Sequence, residues 1–231
     1  RRFMDPSKTI VIPGNHDYYA SFLNADDELE KLAEAAGAHF AQQREVRHGE
    51  DRHFCTTLWT DFALLGDAQA AMNVARRHMN DFTQISKRLE TGPLSPSELL
   101  GRPQQVAITP EDILALHKAQ RQWLEDQLAE PHWAPNGRSF VVTHHSPHPS
   151  TAGQIDDLSP AFHSDLTPLF NRYRIDGWYF GHSHRRLAAQ IGRTAVTHRP
   201  ANVSTGASLA NSRSYTDAPF SDSTSSSGSV N

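Results

Sequence analysis

Cysteine is nearly absent from this chain, since Cys55 is the only one among 231 residues. A disulfide within the chain is therefore excluded, and a metal site built from several thiolates is not expected. Long apolar runs are also missing, because none approaches the roughly 20 residues of a membrane span. The first residues do not resemble a signal peptide. Together these absences favour a cytoplasmic setting and no membrane partner.

An excess of positive charge is missing as well, because 22 Lys and Arg residues stand against 26 Asp and Glu residues. The net charge of -4 gives no strong nucleic-acid-binding signal, and it leaves the oligomeric state open. Histidine, in contrast, is abundant, with 14 residues. Because histidine is the commonest metal ligand, the positions of these residues show whether the chain offers a metal site.

Apolar runs that alternate with helical patterns predict an α/β fold with buried, largely parallel strands. We expect helices over residues 26–36, 68–90, 109–128 and 160–173. We expect strands over residues 9–12, 52–59, 62–65, 139–143, 177–180, 187–191 and 195–197. The serine-rich residues 204–231 are expected to be disordered, either as a natural tail or as a non-native end, so that residues 1–203 form the domain.

Residues 13–17, Pro-Gly-Asn-His-Asp, directly follow the first predicted strand. Polar groups at strand carboxyl ends converge on crevices in α/β proteins. Gly14 permits a sharp exit from the strand, and Asn15 offers an amide oxygen suited to a divalent metal. Asp17 could hold the imidazole of His16 in one tautomer. Taken alone, the segment is more typical of a polar turn with a surface histidine.

Two later strands also end in histidine. The strand 139–143 is followed by His144 and His145, which alone are as typical of packing as of metal binding. The strand 177–180 is followed by Gly181, His182, Ser183 and His184. Residues two apart in an extended segment lie on one side, so His182 and His184 can converge on one metal or on two neighbouring ones. This Gly-His-x-His segment is the most specific of the three and favours metal binding.

The order of these segments resembles the calcineurin-like metallophosphoesterases, with Gly-Asn-His-Asp, then a strand with histidine, then Gly-His-x-His. The resemblance covers about residues 8 to 200. It implies a layered β-sandwich-type core flanked by helices, here missing its first strands. It also implies a binuclear centre that hydrolyses a phosphomonoester or diester with two divalent ions, which are Mn, Fe, Zn or Co.

When the roles known in the family are assigned to the matching residues, the resemblance implies that Asn15, His144 and His182 bind one metal ion. It implies that His184 binds the other. The choice between His144 and His145 stays open, with His144 preferred because it follows the strand directly. His16 would contact the phosphate or protonate the leaving oxygen. Asp17 would orient it.

The sequence departs from the family in one respect. Two earlier motifs, Asp-x-His and Gly-Asp, would supply the rest of the centre, and nothing in residues 1–8 can serve as either. We treat the later pair Gly66-Asp67 as a coincidence. We therefore expect an N-terminally truncated member with one weakly bound ion and impaired activity. The alternatives are a catalytically inactive metal-binding or scaffolding module on the same fold, and an amidase-type metallohydrolase.

Overall fold

The computed structural model describes residues 5–88, 105–183 and 186–198. A connector containing proline, glycine and serine is predicted from the sequence at residues 92–103; this segment, His184 and the serine-rich tail lie outside these described residues. None of the helices in the described ranges combines the length and the apolar character that crossing a membrane requires.

Short strands and helices alternate along the described chain. The helices are α1 (Asp26–Ala35), α2 (Ala68–His78), α3 (Asp81–Gln84), α4 (Pro110–Ala129) and α5 (Thr167–Arg172). The strands are β1 (Ile10–Val11), β2 (Ser21–Phe22), β3 (His39–Phe40), β4 (Arg44–His48), β5 (Asp51–Thr56), β6 (Ile85–Arg88), β7 (Gln105–Ala107), β8 (Ser139–Thr143), β9 (Gly177–Phe180), β10 (Ala188–Ile191) and β11 (Thr194–His198). This mixture confirms the predicted α/β class.

A six-stranded sheet in the order β10-β11-β9-β8-β5-β4 forms the centre of the structure. The pairs β5–β8, β8–β9 and β9–β11 are parallel, whereas the two outer pairs are antiparallel hairpins. The remaining strands form a three-stranded sheet, β2-β6-β7, and a parallel pair, β1-β3. Because β8 and β9 run parallel side by side, the residues that follow them leave the sheet at the same edge.

Helix α4 covers one face of the large sheet. Its start is fixed as predicted, because Thr109 accepts a hydrogen bond from the backbone N–H of Asp112, whose carboxylate accepts in return from the N–H of Thr109. Leu124 of this helix belongs to a buried apolar cluster with Val141 of β8 and Trp178 of β9. Burial of such side chains stabilises the fold by about 1.5–3 kcal/mol each.

The opposite face of the sheet lines a cavity of about 1200 Å³. Val142 of β8 and Tyr179 of β9 lie on its wall, and Val11 of β1 lies on the other side. At the carboxyl edge of the strands the same cavity reaches His144 and His182. The sheet therefore separates an apolar core on one face from an open chamber on the other, and the histidine-bearing strand ends border that chamber.

Four predicted elements differ from the structure. The strand expected at 9–12 is shorter and only half-buried, because β1 pairs with β3 and does not enter the large sheet. Residues 62–65 form no strand, since Phe62 has a φ of 59° and packs into a core cluster. The helix expected at 68–90 breaks, and its last part pairs in a sheet as β6. The helix expected at 160–173 reduces to α5, whose first turn contains a proline.

Candidate metal centre

The histidines of the second and third segments meet at the edge of the large sheet. Thr143 and Phe180, the last residues of β8 and β9, are paired partners. His144 follows the first strand directly, and His182 follows the second after Gly181. The parallel pairing of the two strands therefore brings the two imidazoles together, as the sequence predicts.

Asn15 joins these histidines from a distant part of the chain. It lies in a 3-10 turn (Asn15–Tyr18) after β1 and is buried. His144 Nε2 lies 3.0 Å from Asn15 Oδ1 and 3.1 Å from His182 Nδ1. Three of the four predicted metal ligands are thus neighbours, and the fourth, His184, lies outside the described residues.

These separations fit a shared divalent cation. Two ligand atoms that bind a metal at about 2.1 Å on neighbouring corners of an octahedron lie about 3.0 Å apart. His144, His145 and His182 also form a group whose potential ligand atoms all lie within 4.8 Å of one another. Imidazole nitrogen and amide oxygen suit Mn, Fe, Co or Zn, whereas the only cysteine, Cys55, is buried in β5. The residues present therefore fit the metal that the sequence predicts.

His145 has a different environment from His144. Its side chain is 2% exposed, and neither ring nitrogen has a hydrogen-bond partner within the described residues. Burial, followed by the neighbouring histidines, holds the pKa of His145 well below its usual range, so the ring is neutral. Its ring centroid lies 5.3 Å from that of Trp59 and 5.1 Å from that of His182. This geometry favours His144 as the ligand and His145 as a neutral ring packed behind it.

Gly14 allows the first segment to approach His144. A Cβ atom at position 14 would lie 2.5 Å from Nδ1 and 2.9 Å from Nε2 of that histidine. The φ of Gly14 is -102°, which any residue adopts, so the need for glycine comes from this contact and not from the sharp exit expected from the sequence. At Gly181 the corresponding Cβ would lie 3.5 Å from His144 Nδ1, which is ordinary contact.

His182 has a left-handed backbone, with a φ of 63°. Such a conformation is uncommon for a residue with a side chain and is typical of positions where function or packing imposes it. The side-to-side alternation of an extended strand therefore does not continue through His182. The extended backbone expected for this segment is therefore absent at His182, and His184 lies outside the described residues.

His16 and Asp17 lie beside Asn15 in the same turn, and both side chains are exposed. The Asp17 carboxylate accepts a hydrogen bond of 2.7 Å from the N–H of Gly14, and no hydrogen bond joins it to His16 within the described part of the chain. The His16 ring instead contacts the ring of Tyr19, with centroids 4.6 Å apart. Asp17 thus closes the turn that carries His16, and its expected role in orienting the His16 ring stays a prediction.

Thr57 hydrogen-bonds both to the segment that carries His144 and to the loop that carries Asn15. Its carbonyl oxygen accepts from the backbone N–H groups of His144 and His145, at 3.0 and 3.2 Å. Its hydroxyl donates to the carbonyl oxygen of Pro13 at 2.8 Å. Through these bonds the position of His144 and the position of the Asn15 loop depend on one buried residue.

Sequence reasoning missed Asp81, which contacts Asn15 from helix α3. It is 2% exposed, and Asn15 Nδ2 donates to its carboxylate oxygens at 3.1 and 3.3 Å. No motif identifies Asp81, because it is 66 residues from Asn15 in a segment predicted to be a plain helix. Asp67 of the Gly-Asp pair, in contrast, accepts from Ala70 N–H and caps α2 at the surface.

The two histidines that follow β8 and β9, together with Asn15, form a group of nitrogen and oxygen donors suited to a divalent metal ion. The profile described as Calcineurin-like phosphoesterase matches residues 1–186, and the chain belongs to this family. Among curated proteins, none matches the chain. Among solved structures, the phosphopantetheinyl hydrolase PptH from Mycobacterium tuberculosis is similar, with a TM-score of 0.58 and 14% identity over 84% of this chain and 69% of that chain. At this identity the likeness shows the fold.

Proposed function

We propose that the protein is a metal-dependent phosphoester hydrolase in which Asn15, His144 and His182 hold one divalent cation. The observation that carries the proposal is the meeting of these three side chains, with His144 Nε2 3.0 Å from Asn15 Oδ1 and 3.1 Å from His182 Nδ1. The family supports the same chemistry for residues 1–186. Bound divalent ions would neutralise charge on the phosphoryl oxygens and lower the pKa of a water nucleophile.

His16 is the residue we assign to the substrate. Its ring is exposed and lies on the wall of the cavity that also contains His144 and His182. An imidazole in this place can donate a hydrogen bond to a phosphoryl oxygen or transfer a proton to the leaving oxygen, which contributes about 10²–10⁴-fold to a rate. Asp17 supports it indirectly, since its bond to the Gly14 N–H closes the turn that carries His16.

The binuclear form of the mechanism needs a second ion, for which His184 is the proposed ligand. The resemblance assigns the remaining ligands to an Asp-x-His and a Gly-Asp motif before Gly14, and these 231 residues contain neither motif there. We therefore propose that the 231-residue chain binds one ion weakly and turns over phosphomonoesters and diesters negligibly.

A titration of the 231-residue chain with Mn²⁺ tests the centre. We expect one binding site, and we expect His144→Ala and His182→Ala each to weaken it by more than the roughly 10- to 100-fold typical of a change outside the ligand set. His132→Ala is the matched control, because this histidine follows α4 and is not among the residues that line the cavity with His144 and His182. Unchanged affinity in His144→Ala would refute the proposed centre, and two tight sites would refute its single-ion form.

An inactive metal-binding or scaffolding module is the second candidate. It is favoured by the ligand group found within the described residues, which consists of histidines and includes no carboxylate. Hydrolysis of bis-nitrophenyl or mono-nitrophenyl phosphate with Mn²⁺, by a chain that carries an Asp-x-His and a Gly-Asp motif before Gly14, would support the enzyme. Metal binding without hydrolysis of either ester would support the module, and cleavage of amides alone would support an amidase-type enzyme.

A further inference from the structure

Asp81 is a buried carboxylate to which the hydrolysis proposed above assigns no part. It begins helix α3, and its environment differs from that of a surface acid because both oxygens face Asn15. Tyr19 Oη donates a further hydrogen bond, of 2.6 Å, to Asp81 Oδ1. Burial of a carboxylate is costly unless donors reach it, and here Asn15 and Tyr19 provide them.

The carboxylate determines which end of the Asn15 amide faces the histidines. Both Asp81 oxygens accept from the Asn15 NH₂ group, so the carbonyl oxygen of the amide faces away from Asp81. That oxygen lies 3.0 Å from His144 Nε2, on the side of the proposed cation. If the amide were reversed, its NH₂ group would face the cation and could not bind it.

We propose that Asp81 is a positioning residue that holds the Asn15 carbonyl oxygen in the orientation a divalent cation requires. The inference rests on the proposed metal centre and names a residue that controls its affinity. Tyr19 belongs to the same arrangement, since its hydroxyl fixes the Asp81 carboxylate and its ring contacts the ring of His16 at 4.6 Å. One tyrosine thereby connects the side chain assigned to the substrate with the support of a metal ligand.

Calorimetric titration with Mn²⁺ tests the inference on the full chain. We expect Asp81→Ala to weaken Mn²⁺ binding by about 10- to 100-fold, the range typical of residues that orient a ligand. Asp81→Asn retains an acceptor oxygen for Asn15 and is expected to recover part of the loss. Tyr19→Phe removes one hydrogen bond to Asp81 without removing the ring, and we expect a smaller loss in the same direction.

A double-mutant cycle with Asn15→Ala separates positioning from other effects. If Asp81 acts through Asn15, then Asp81→Ala has no further effect on Mn²⁺ affinity once Asn15 is alanine. A loss that persists at full size in the Asn15→Ala background would overturn the inference, because it would show a general structural or charge effect. The visible absorption of bound Co²⁺ gives a second measurement, and we expect the Asp81→Ala and Asn15→Ala spectra to shift in the same way.

Asp26→Ala is the matched control. Asp26 also begins a helix and accepts from a tyrosine, with Tyr18 Oη at 2.7 Å, but it makes no hydrogen bond to Asn15. We expect its Mn²⁺ affinity to equal that of the unaltered chain, and thermal unfolding identifies any variant that fails to fold. His144→Ala distinguishes the two proposals: if it abolishes binding while Asp81→Ala and Asp81→Asn change nothing, only the positioning inference fails. If His144→Ala also changes nothing, the metal centre itself fails.

Discussion

At the scale of single residues, the candidate centre depends on one missing side chain as much as on those present. Gly14 has no Cβ, and this absence leaves room for the His144 ring, whose Nδ1 would otherwise lie 2.5 Å from that atom. Such a distance is well below van der Waals contact, so either the ring or the loop that carries Asn15 would have to shift. The separation of 3.0 Å between Asn15 Oδ1 and His144 Nε2 would then be lost.

We therefore expect Gly14→Ala to weaken Mn²⁺ binding by about 10- to 100-fold, as misorientation of a ligand does. Gly181→Ala is the control, since its Cβ would lie 3.5 Å from His144 Nδ1, in ordinary contact. Titration calorimetry measures the Mn²⁺ affinity of both variants. Each variant adds a methyl group beside His144, but only the one at position 14 clashes with the ring. Equal affinities in the two variants would contradict the proposed role of Gly14.

At the scale of elements, helix α4 supports the segment that holds the ligand loops. Gln120 Oε1 accepts from the backbone N–H of Trp59 at 3.1 Å, and His117 Nδ1 lies 2.5 Å from the Trp59 carbonyl oxygen. The segment needs this support because Leu58 and Phe62 on either side of Trp59 have positive φ angles. A turn with such backbone angles forms no regular ladder, so side chains from α4 satisfy its buried polar groups.

Gln120→Leu removes the acceptor of a buried N–H group. We expect it to lower the free energy of unfolding by about 1–3 kcal/mol, the cost of leaving such a donor unsatisfied. Gln122→Leu is the control on the same helix, because Gln122 is exposed and its bond to Asp126 lies at the surface. Urea denaturation measures both, and a stability loss in Gln122→Leu as large as that in Gln120→Leu would contradict the argument.

At the scale of the whole molecule, several histidines are buried away from the proposed ligands. Burial is the largest cause that lowers the pKa values of His53, His117 and His163. Each has a ring nitrogen with no hydrogen-bond partner in the described residues. A proton added to these rings would bring a charge into the interior, and for His117 the Asp61 carboxylate, 3.9 Å from Nε2, offsets only part of that cost.

The direction of the pH dependence follows from these lowered pKa values. Above the ordinary histidine pKa of 6.5, the three rings are neutral in both the folded and the unfolded chain, and stability is at its full value. As the pH falls below that value, the histidines bind protons in the unfolded chain but not in the folded chain. The free energy of unfolding therefore decreases until the pH reaches the pKa values of the folded state. Each such proton contributes at most about 1.4 kcal/mol per pH unit.

We expect the metal-free chain to unfold at lower urea concentration at pH 5.5 than at pH 7.5. His117→Gln is expected to reduce the slope of stability against pH, because one of the three buried bases is removed. Urea titrations at several pH values measure both slopes. A stability that stays constant, or that rises as the pH falls from 7.5 to 5.5, would contradict the contribution assigned to the buried histidines.

Sequence reasoning succeeded where local pattern and strand order decide the outcome. The strands at 139–143 and 177–180 are present with the predicted bounds, and their parallel pairing brings His144 and His182 to one edge. It failed where distant residues override local preference. Residues 85–88 look helical but form a strand in a sheet with β2, and Phe62 leaves its predicted strand to enter a core.

The sequence by itself determined the α/β class, the family and the three segments that supply Asn15, His144 and His182. These features can be predicted from the sequence because apolar periodicity and short motifs depend on residues close together in the chain. Only the tertiary structure decided that Gly14 is needed for its contact with His144, and that Asp81 holds the Asn15 amide. Both depend on side chains far apart in the chain, and packing alone brings such residues into contact.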